Sequence, residues 1–354
     1  MGKPYLGILI GNRDRNAILN GEGYEKVDLY LDAAKKYGLQ ICFFRFNDID
    51  MKSNVVIAKF PKGHNTWTTR KISVPKVIHN RAVYGTRQQN QIVKLRKRGF
   101  VLFNGWNTYS KLKIHQLLEK HRSLKAYSPI TRLFTKRNLN YFCRFSSFFL
   151  KPDRGAVGKG IVKLSKVEAN LWRITHQNKN RKLIFEKTKE ELFDFLVRYT
   201  KGSRCILQQT IVLQTYNKRP FDIRVSVQKN FEGKWQVTGM VAKVAGKGHY
   251  LSNVFQGGTV KRLDEIYWNS SYLRIKNKIS TVALQIIRYL EKNLSNLSDV
   301  GFDFGVDDEE RIYFIEMNSR DQRYSFLLAG MEQTFQETYE NPIAYGKYLI
   351  SQNL

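Results

Sequence analysis

Short apolar segments alternate with segments of helical spacing through the first hundred residues, and this alternation restricts the folds open to the chain. The apolar residues 5–10 are followed by Val27, Leu31 and Ala34 at helical spacing, and then by a second apolar segment at 39–46. Such alternation predicts a βαβ unit built on a parallel sheet. The predicted elements are strands at 5–10, 39–46, 76–79 and 101–103, a helix at 24–37, and a hairpin formed by 55–60 and 67–74.

Strands and helices are distributed differently in the remainder of the chain, where they segregate more than they alternate. This distribution is typical of α+β architecture. We therefore predict an α/β domain at residues 1–104, followed by an α+β module with one lobe at 105–204 and another at 205–354. The predicted helices of the module are 110–119, 189–199, 272–294 and 325–336, and its strands are 139–151, 161–164, 171–175, 182–186, 206–213, 222–228, 235–245, 301–305 and 312–317.

The charge of the chain is strongly positive and unevenly spread. Lysine and arginine number 60 against 30 acidic residues, a net charge of +30. Residues 299–354 contain 11 acidic and 4 basic residues, a net of −7, so that the first 298 residues carry +37. A basic body of this kind suggests a polyanionic partner such as an acidic polymer, a phosphate-rich ligand or nucleic acid. The alternative is a lysine-rich surface without a specific partner.

The sequence also limits where such a protein works. Its three cysteines, Cys42, Cys143 and Cys205, lie in apolar or aromatic segments and form no CxxC or Cys/His cluster, so neither a disulfide framework nor a zinc site is expected. The longest apolar runs are far shorter than the roughly 18 residues that span a bilayer. Residues 1–6 show no signal-peptide pattern. We expect a cytoplasmic protein without a membrane span.

The C-terminal region carries acidic residues within two apolar strand segments. Residues 300–306 (VGFDFGV) are joined by the turn DDEE to residues 311–318 (RIYFIEMN). Because side chains alternate along a strand, Glu316 and Asn318 share one face, and Asp303 points away from the side taken by Phe302 and Phe304. Two carboxylates and an amide oxygen on a sheet face suit Mg²⁺ bridging substrate phosphates. The alternative is a half-exposed strand that simply alternates polar and apolar residues.

A second pattern, FLKPDRGAVGKGI at residues 149–161, places three glycines after a strand that ends in Lys151. Glycines let backbone N–H groups approach phosphate oxygens, and the lysine supplies positive charge. The spacing is not that of a Walker A loop and, since no helix follows, it is not that of a Rossmann fingerprint. The loop predicts phosphate binding or, alternatively, an ordinary turn between two strands.

The segment RPFDIRV at 219–225 places Asp222 and Arg224 two residues apart, on one face of a predicted strand. A carboxylate there can hold ribose hydroxyls, and a guanidinium can clamp a phosphate or carboxylate. A structural Asp–Arg pair is an equally good interpretation. Lys243, on the segment MVAK, and Asn253 are open to the same two interpretations.

Together, and in their order along the chain, these motifs resemble those of the ATP-grasp superfamily, and more narrowly the YheC/YheD-type, endospore-coat-associated ATP-grasp proteins. The resemblance covers residues 104 to about 320 and rests on Lys111, Lys151 with its glycine loop, the hinge at 207–209, Asp222 and Arg224, Asn253, Asp303, Glu316 and Asn318. It implies ATP held between two α+β lobes, preceded by a βαβ domain.

The resemblance also implies carboxylate–amine ligation, with ATP and Mg²⁺ as cofactors. A carboxylate attacks the γ-phosphate, and an amine then displaces phosphate from the acyl phosphate. The implied roles are phosphate binding by Lys111 and Lys151 under a lid of Gly155, Gly158 and Gly160, adenine pairing by Gln208 and Gln209, ribose binding by Asp222, contact with the transferred phosphate by Arg224, Lys243 and Asn253, and Mg²⁺ binding by Asp303, Glu316 and Asn318.

The chain departs from the superfamily pattern at three points. Lys113 lies close to Lys111, so either lysine could enter the site. Glutamines occupy the hinge where many members have an acid. The sequence after Asn318 lacks a common proline, and Arg320 and Arg323 could there receive an anionic substrate.

We predict a ligase acting on an amino acid, a peptide or an acidic polymer. A second hypothesis is a spore-coat-associated structural protein that binds nucleotide without turnover, with spore-coat components as partners and a location at the spore. A nucleic-acid-binding protein is a third hypothesis. It is disfavoured because no recognition helix or RNA-binding motif accompanies the charge.

Overall fold

A computed structural model describes residues 4–12, 14–23, 25–63, 66–106, 108–155, 158–178, 181–252, 254 and 257–352. Within these residues three sheets follow one another along the chain. The first is mixed, with three parallel and three antiparallel pairings, and the other two are antiparallel, which confirms the predicted α/β domain followed by an α+β module. None of the helices in the described part of the chain is long and apolar enough to cross a membrane.

The first sheet confirms the predicted βαβ unit. It contains β1 (Tyr5–Leu9), β2 (Gln40–Phe44), β3 (Ile49–Asp50), β4 (Val55–Gly63), β5 (Thr66–Ser73), β6 (Val77–Asn80) and β7 (Val101–Phe103), with α1 (Arg15–Leu19), α2 (Val27–Lys36), α3 (Thr86–Lys97) and a 3₁₀ turn at Phe46–Asp48. The strand order is β3-β4-β2-β1-β6-β7, with β5 paired to β4. β1 is parallel to β2 and β6, and β6 is parallel to β7. Since parallel strands end at the same edge of a sheet, Arg81 and Asn104 emerge side by side.

The second sheet carries the glycine-rich loop. It contains β8 (Thr131–Leu133), β9 (Ser147–Pro152), β10 (Val162–Lys166), β11 (Leu171–Asn178), β12 (Arg181–Thr188) and β13 (Cys205–Gln209), with α4 (Lys111–Lys120), α5 (Lys136–Phe142), α6 (Lys189–Tyr199) and a 3₁₀ turn at Leu124–Tyr127. The strand order is β12-β11-β10-β9-β13-β8. The boundary predicted at 204/205 falls immediately before β13, yet β13 lies between β9 and β8, so this sheet extends past that point.

Three predicted elements differ from the observed ones. The strand predicted at 139–151 is wrong in its first half, because α5 ends at Phe142 and β9 begins only at Ser147. The Thr135 hydroxyl caps α5 by accepting a hydrogen bond from the backbone N–H of Asn138 at 3.2 Å. The strand predicted at 206–213 ends at Gln209. The helix predicted at 325–336 is divided at Gly330, whose φ of +66° suits the turn between two helices.

The third sheet forms the floor of the candidate site. It contains β14 (Thr215–Tyr216), β15 (Arg219–Lys229), β16 (Trp235–Val244), β17 (Thr259–Arg262), β18 (Asp299–Val306) and β19 (Ile312–Asn318), with α7 (Leu263–Ile266), α8 (Asn269–Asn293), α9 (Tyr324–Leu328) and α10 (Glu332–Gln352). The strand order is β17-β16-β15-β18-β19, with β14 paired to β15. One face is buried under the apolar side of α8, and α4 adds Ile114 and Leu118 to the same core. The other face carries the polar side chains of the site.

The last described helix, α10, returns to the first sheet. Its Tyr339 and Ile343 share one core with Leu6, Tyr30 and other residues of β1, α2 and β2. A Cβ atom on Gly346 would lie only 2.6 Å from the Leu6 side chain, so the helix approaches β1 closely where it has no side chain. The core of the first domain is therefore completed by the end of the chain.

Candidate active site

A narrow cleft of about 110 Å³ separates the β9–β10 loop from the polar face of the third sheet. It brings together most of the residues predicted from the sequence: Lys111, Lys151, Gly155, Gly158, Asp222, Arg224, Lys243, Asp303, Glu316 and Asn318. Gly160 is in the same loop without lining the cleft, and Gly155, Gly158 and Gly160 all have positive φ angles (+140°, +68° and +74°) that favour glycine. Asn253 lies outside the described residues.

The carboxylates predicted to bind metal lie on neighbouring strands. Asp303 of β18 is directly opposite Glu316 of β19, and Gly301 is opposite Asn318. The Asn318 amide donates a hydrogen bond to Asp303 Oδ2 at 3.1 Å. Glu316 is 22% exposed and forms an ion pair with Lys111 at 3.3 Å. In the part of the chain that the structure describes, no three His, Cys, Asp or Glu side chains gather as a metal centre, and metal binding by Asp303, Glu316 and Asn318 stays a prediction.

Two cations and two carboxylates form a buried network at the floor of the cleft, here called the cleft cluster: Asp222, Arg224, Lys243 and Asp303. Arg224 donates from Nε and Nη2 to the two oxygens of Asp303, at 2.7 and 3.1 Å. Lys243 Nζ lies 2.9 Å from Asp222 and 3.0 Å from Asp303. The guanidinium is thus paired across strands with Asp303, and the alternative of a structural pair between Asp222 and Arg224 is not realised.

The pKa values of the two carboxylates in the cluster shift in opposite directions because their partners differ. Burial raises the pKa of Asp222, and Lys243 and a hydrogen bond from Ser252 only partly oppose this rise. Burial also acts on Asp303, but Arg224 and Lys243 outweigh it and hold its pKa well below the usual range. Asp303 therefore remains an anion at neutral pH.

Lys151 rests on a polar network that the sequence did not reveal. Its ammonium donates to Gln208 Oε1, and the Gln208 amide in turn donates to Thr131 at 3.0 Å and to His115 Nε2 at 2.9 Å. His115 Nδ1 lies 2.8 Å from the Ser128 hydroxyl, and its Nε2 also lies 3.3 Å from the backbone carbonyl oxygen of Ile315. Burial and the charge of Lys151 lower the pKa of His115 to about 3, so the ring stays neutral.

The same burial affects Lys151 itself. It lowers the pKa of the ammonium to about 8, although the nearby Glu316 raises it. The Gln208 side chain is committed to this network, and the backbone N–H of Gln209 donates to Ile130 at 2.9 Å. Adenine pairing by these two glutamines stays a prediction.

The structure distinguishes the two lysines at the start of α4. Lys111 Nζ lies 3.0 Å from the carbonyl oxygen of Gly155 and lines the cleft, whereas Lys113 is exposed outside it. Asp153, which the sequence did not mark as a site residue, fixes this geometry. It accepts hydrogen bonds from Ser110 and from the backbone N–H of Leu112 at 2.8 and 3.0 Å, so the glycine loop is tied to the first turn of α4.

A larger cavity of about 490 Å³ adjoins the cleft and shares Lys111, Gly155 and Glu316 with it. Arg320 lies on its wall, 22% exposed, 3.1 Å from Asp14 and 3.3 Å from Glu25. Arg323 is only 1% exposed and pairs with Asp299 at 2.6 Å. Of the two arginines suggested for an anionic substrate, Arg323 is therefore not available, and Arg320 is only partly so.

A second buried network, here called the junction cluster, consists of Glu25, Arg81, Asp299 and Arg323. Arg81 pairs with Glu25 at 2.8 Å and with Asp299 at 3.2 Å. These side chains are at most 4% exposed, and the Arg323 guanidinium stacks 4.4 Å from the centre of the Tyr339 ring. The cluster joins the carboxyl edge of the first sheet to β18 of the third.

A glycine loop from one antiparallel lobe closing over the cations and carboxylates of a second lobe defines an ATP-grasp protein. The fold is similar to that of the solved ATP-grasp ligase PsnB, in complex with a phosphomimetic variant of its minimal precursor, Mg and ADP, with a TM-score of 0.53 at 11% identity over 100% of both chains. The family model for YheC/D like ATP-grasp proteins matches residues 99–349, and the chain belongs to this family.

Two curated relatives come from Bacillus subtilis (strain 168). The chain is 27% identical over 303 residues to the endospore coat-associated protein YheD, a match that covers 80% of this chain and 65% of the relative's length. It is 23% identical over 338 residues to the endospore coat-associated protein YheC, covering 90% of both chains. These matches confirm the resemblance inferred from the motifs.

Proposed function

We propose that the protein is an ATP- and Mg²⁺-dependent ligase that joins a carboxylate to an amine through an acyl phosphate. One observation carries this proposal: a single cleft between two lobes combines lysines and an arginine suited to phosphates with carboxylates suited to a divalent cation. Phosphoryl transfer needs this combination because its transition state spreads negative charge over several oxygens.

We propose parts in holding ATP for residues of the cleft and for Gly160, Gln208, Gln209 and Asn253, which are not in its described lining. The roles are α- and β-phosphate binding by Lys111 and Lys151, closure by the loop of Gly155, Gly158 and Gly160, adenine pairing near Gln208 and Gln209, ribose binding by Asp222, and contact with the transferred phosphate by Arg224, Lys243 and Asn253. The brace from Gln208 and His115 supports the assignment of Lys151, because it holds the ammonium at the cleft floor.

The donors at the β18–β19 hairpin fit Mg²⁺. Asp303, Glu316 and Asn318 supply hard oxygen ligands, line the same cleft and lie within reach of one another. When bound there, Mg²⁺ would neutralise phosphate charge. In the protein, Asp303 and Glu316 pair with Arg224, Lys243 and Lys111, the same cations that we assign to the phosphates. A bound metal–nucleotide complex would replace these pairs, because the carboxylates would bind the metal and the cations would bind the phosphates.

The proposed reaction has two transfers. An oxygen of the substrate carboxylate attacks the γ-phosphorus, the bond to the β–γ bridging oxygen breaks, and ADP leaves. The amine then attacks the acyl carbon, the bond from this carbon to the phosphate oxygen breaks, phosphate leaves, and the amine loses a proton. Arg224 and Lys243 would face the transferred phosphate in both steps, because they lie together at the cleft floor.

The adjoining cavity is the proposed place of the acceptor, which we take to be an amino acid, a peptide or an acidic polymer. The partly exposed Arg320 and the exposed Arg154 among its lining residues favour an anionic group there, in keeping with the basic body of the chain. The apparent KM for such an acceptor should rise with salt, because salt shortens the Debye length from about 10 Å at 0.1 M to about 3 Å at 1 M. A neutral acceptor with a salt-independent KM would contradict an acidic acceptor.

The test is phosphate release with ATP and Mg²⁺ across a panel of amino acids and acidic peptides, alongside nucleotide binding by calorimetry. We expect binding of ATP and acceptor-stimulated phosphate release. Binding without release by any acceptor would favour the coat-associated structural role, in line with the names of the two relatives. Absence of nucleotide binding would contradict both functions.

A further inference from the structure

Asp321 is a buried carboxylate that none of the roles above uses, and it lies behind Arg224. Its side chain is inaccessible to solvent, and its Oδ2 accepts a hydrogen bond from Ser226 at 2.6 Å. Its Oδ1 has no hydrogen-bond partner among the described residues and lies 3.6 Å from Arg224 Nη1. Its backbone carbonyl accepts a hydrogen bond from Arg81 at 3.1 Å, which ties the segment to the junction cluster.

Arg224 is therefore held between two carboxylates. On the cleft side, Asp303 accepts hydrogen bonds from Nε and Nη2 of Arg224. On the opposite side, Asp321 faces Nη1 of Arg224. The guanidinium is planar with its donors in a fixed fork, so contacts at two edges determine its orientation. A cation bound by Asp303 would compete with Arg224 for the same oxygens, whereas Asp321 lines the larger cavity and not the small cleft, so it would be free to hold Arg224.

Gly301 of β18 provides the space for this arrangement. A Cβ atom at this position would lie 2.4 Å from Asp321 Oδ1 and 3.2 Å from Arg224 Cδ. Its φ is not in the left-handed region, so an alanine would fit the backbone, and the nearest atoms to its Cβ belong to these two side chains. The glycine at position 301 thus leaves the space in which Asp321 contacts Arg224.

We infer that Asp321 is a positioning residue that orients Arg224 toward the terminal phosphate of ATP. The inference rests on the proposed function, in which Arg224 meets that phosphate. A purely structural role for Asp321 is the competing explanation, since a buried ion pair also affects stability when one partner is removed. The two explanations differ in whether the terminal phosphate is affected selectively.

Two variants and one control distinguish the positioning role of Asp321 from a purely structural role. Asp321→Asn keeps the shape and removes the charge. Gly301→Ala keeps every charge while its Cβ clashes mainly with Asp321, at 2.4 Å, and less with Arg224, at 3.2 Å. The control is Gly305→Ala on the same strand, where the added Cβ would meet the side chains of Leu213 at 2.5 Å and Ile315 at 3.4 Å. Each protein is titrated with ADP and with a nonhydrolysable ATP analogue, both with Mg²⁺, and its Tm is measured.

We expect Asp321→Asn and Gly301→Ala to weaken binding of the ATP analogue about tenfold, the size of a charge-assisted contact, while ADP binding is unchanged. Gly305→Ala should lower Tm without changing the ratio of the two affinities. Equal weakening of both nucleotides, or an unchanged ratio, overturns the positioning role while the proposed function stands. A wild-type protein that binds neither nucleotide overturns both. If Asp321→Asn does not fold, Gly301→Ala decides.

Discussion

Strand β18 contributes one aspartate to each of two buried charge networks. Asp303, in the cleft cluster, contacts Arg224 and Lys243 at 2.7 and 3.0 Å. Asp299, in the junction cluster, contacts Arg323 and Arg81 at 2.6 and 3.2 Å. In both clusters two cations balance two carboxylates, and in both the pKa of the β18 aspartate lies well below its usual range because nearby cations outweigh burial.

The two aspartates differ in their access to ligands. Asp303 is 10% exposed and lines a cleft, whereas Asp299 is fully buried between the first and third sheets. A ligand can replace the partners of Asp303, but separation of the sheets is needed to replace those of Asp299. Glu25, Arg81 and Arg323 of the junction cluster line the larger cavity, so the contrast in access concerns the two aspartates and not the whole clusters. Burial and perturbed pKa values therefore do not by themselves identify a functional site.

The largest expected effect concerns the accessible site. Replacing Glu316 with Gln should reduce Mg²⁺-dependent phosphate release by about a thousandfold, because a charged ligand beside the transferred phosphate is lost. The fold should be retained, since this side chain is 22% exposed and, among the described residues, forms an ion pair with Lys111. Phosphate release and Tm measure the two quantities. Turnover at the wild-type rate would show that the metal assignment is wrong.

The corresponding change in the junction cluster should act on stability. Asp299→Asn leaves Arg323 without the charge of its ion-pair partner, whereas Arg81 keeps its pair with Glu25, and we expect a loss of about 3 to 5 kcal/mol in the free energy of unfolding. Chemical denaturation measures it, with Glu310→Gln at the exposed pair with Arg274 as a control of much smaller effect. If the folded Asp299→Asn protein lost nucleotide affinity but not stability, the contrast between the clusters would fail.

The pH dependence of stability follows from the same aspartate. The pKa of Asp299 is lower in the folded protein than in the unfolded chain, so its contribution is present above about pH 4 and is lost as the pH falls below that value. The stability of Asp299→Asn should therefore fall less steeply than that of the wild type in acid. Unfolding measured from pH 7 to pH 3 gives the two slopes, and parallel slopes would contradict the assignment.

A smaller effect separates two lysines of the cleft. Lys151→Ala should weaken binding of an ATP analogue about tenfold, because a charged contact is lost. Lys159→Ala should cost less, because Lys159 is exposed on the glycine loop. Calorimetric titration compares them, and equal losses would count against the distinction between the strand-end lysine and the loop lysine.

The smallest expected effect comes from the titration of Lys151. Its pKa of about 8 means that the ammonium loses its proton between pH 7 and 9. Affinity for the ATP analogue should fall about fivefold over this range as the charge disappears. Lys151→Arg keeps its charge and should show no such fall, and an equal decline in both proteins would assign the effect to another group.

Local patterns predicted the parts of the molecule in which neighbouring residues determine the structure. The alternating segments of the first sheet and the two strands around the DDEE turn were recognisable because apolar periodicity directly encodes buried faces. The helix α5 was missed because its aromatic residues favour a strand, while its cap at Thr135 became visible only in the fold.

Residues whose importance depends on distant partners were not predictable in this way. His115 becomes part of the site because β13 places Gln208 beside it, 93 positions along the chain. Asp321 gains its contact with Arg224 because Gly301, on another strand, leaves space for both. A single sequence contains no signal that pairs such positions.

The return of α10 to the first sheet has a consequence for the order of events during translation. A ribosome releases the amino-terminal end first, and early domains commonly fold while the chain is still being made. Here the core around Leu6 and Tyr30 includes Tyr339 and Ile343, so this apolar surface has no cover until more than three hundred further residues have been added. The nascent βαβ unit would therefore remain incomplete until α10 leaves the exit tunnel. Until then its sheet would be exposed to chaperones or to other nascent chains.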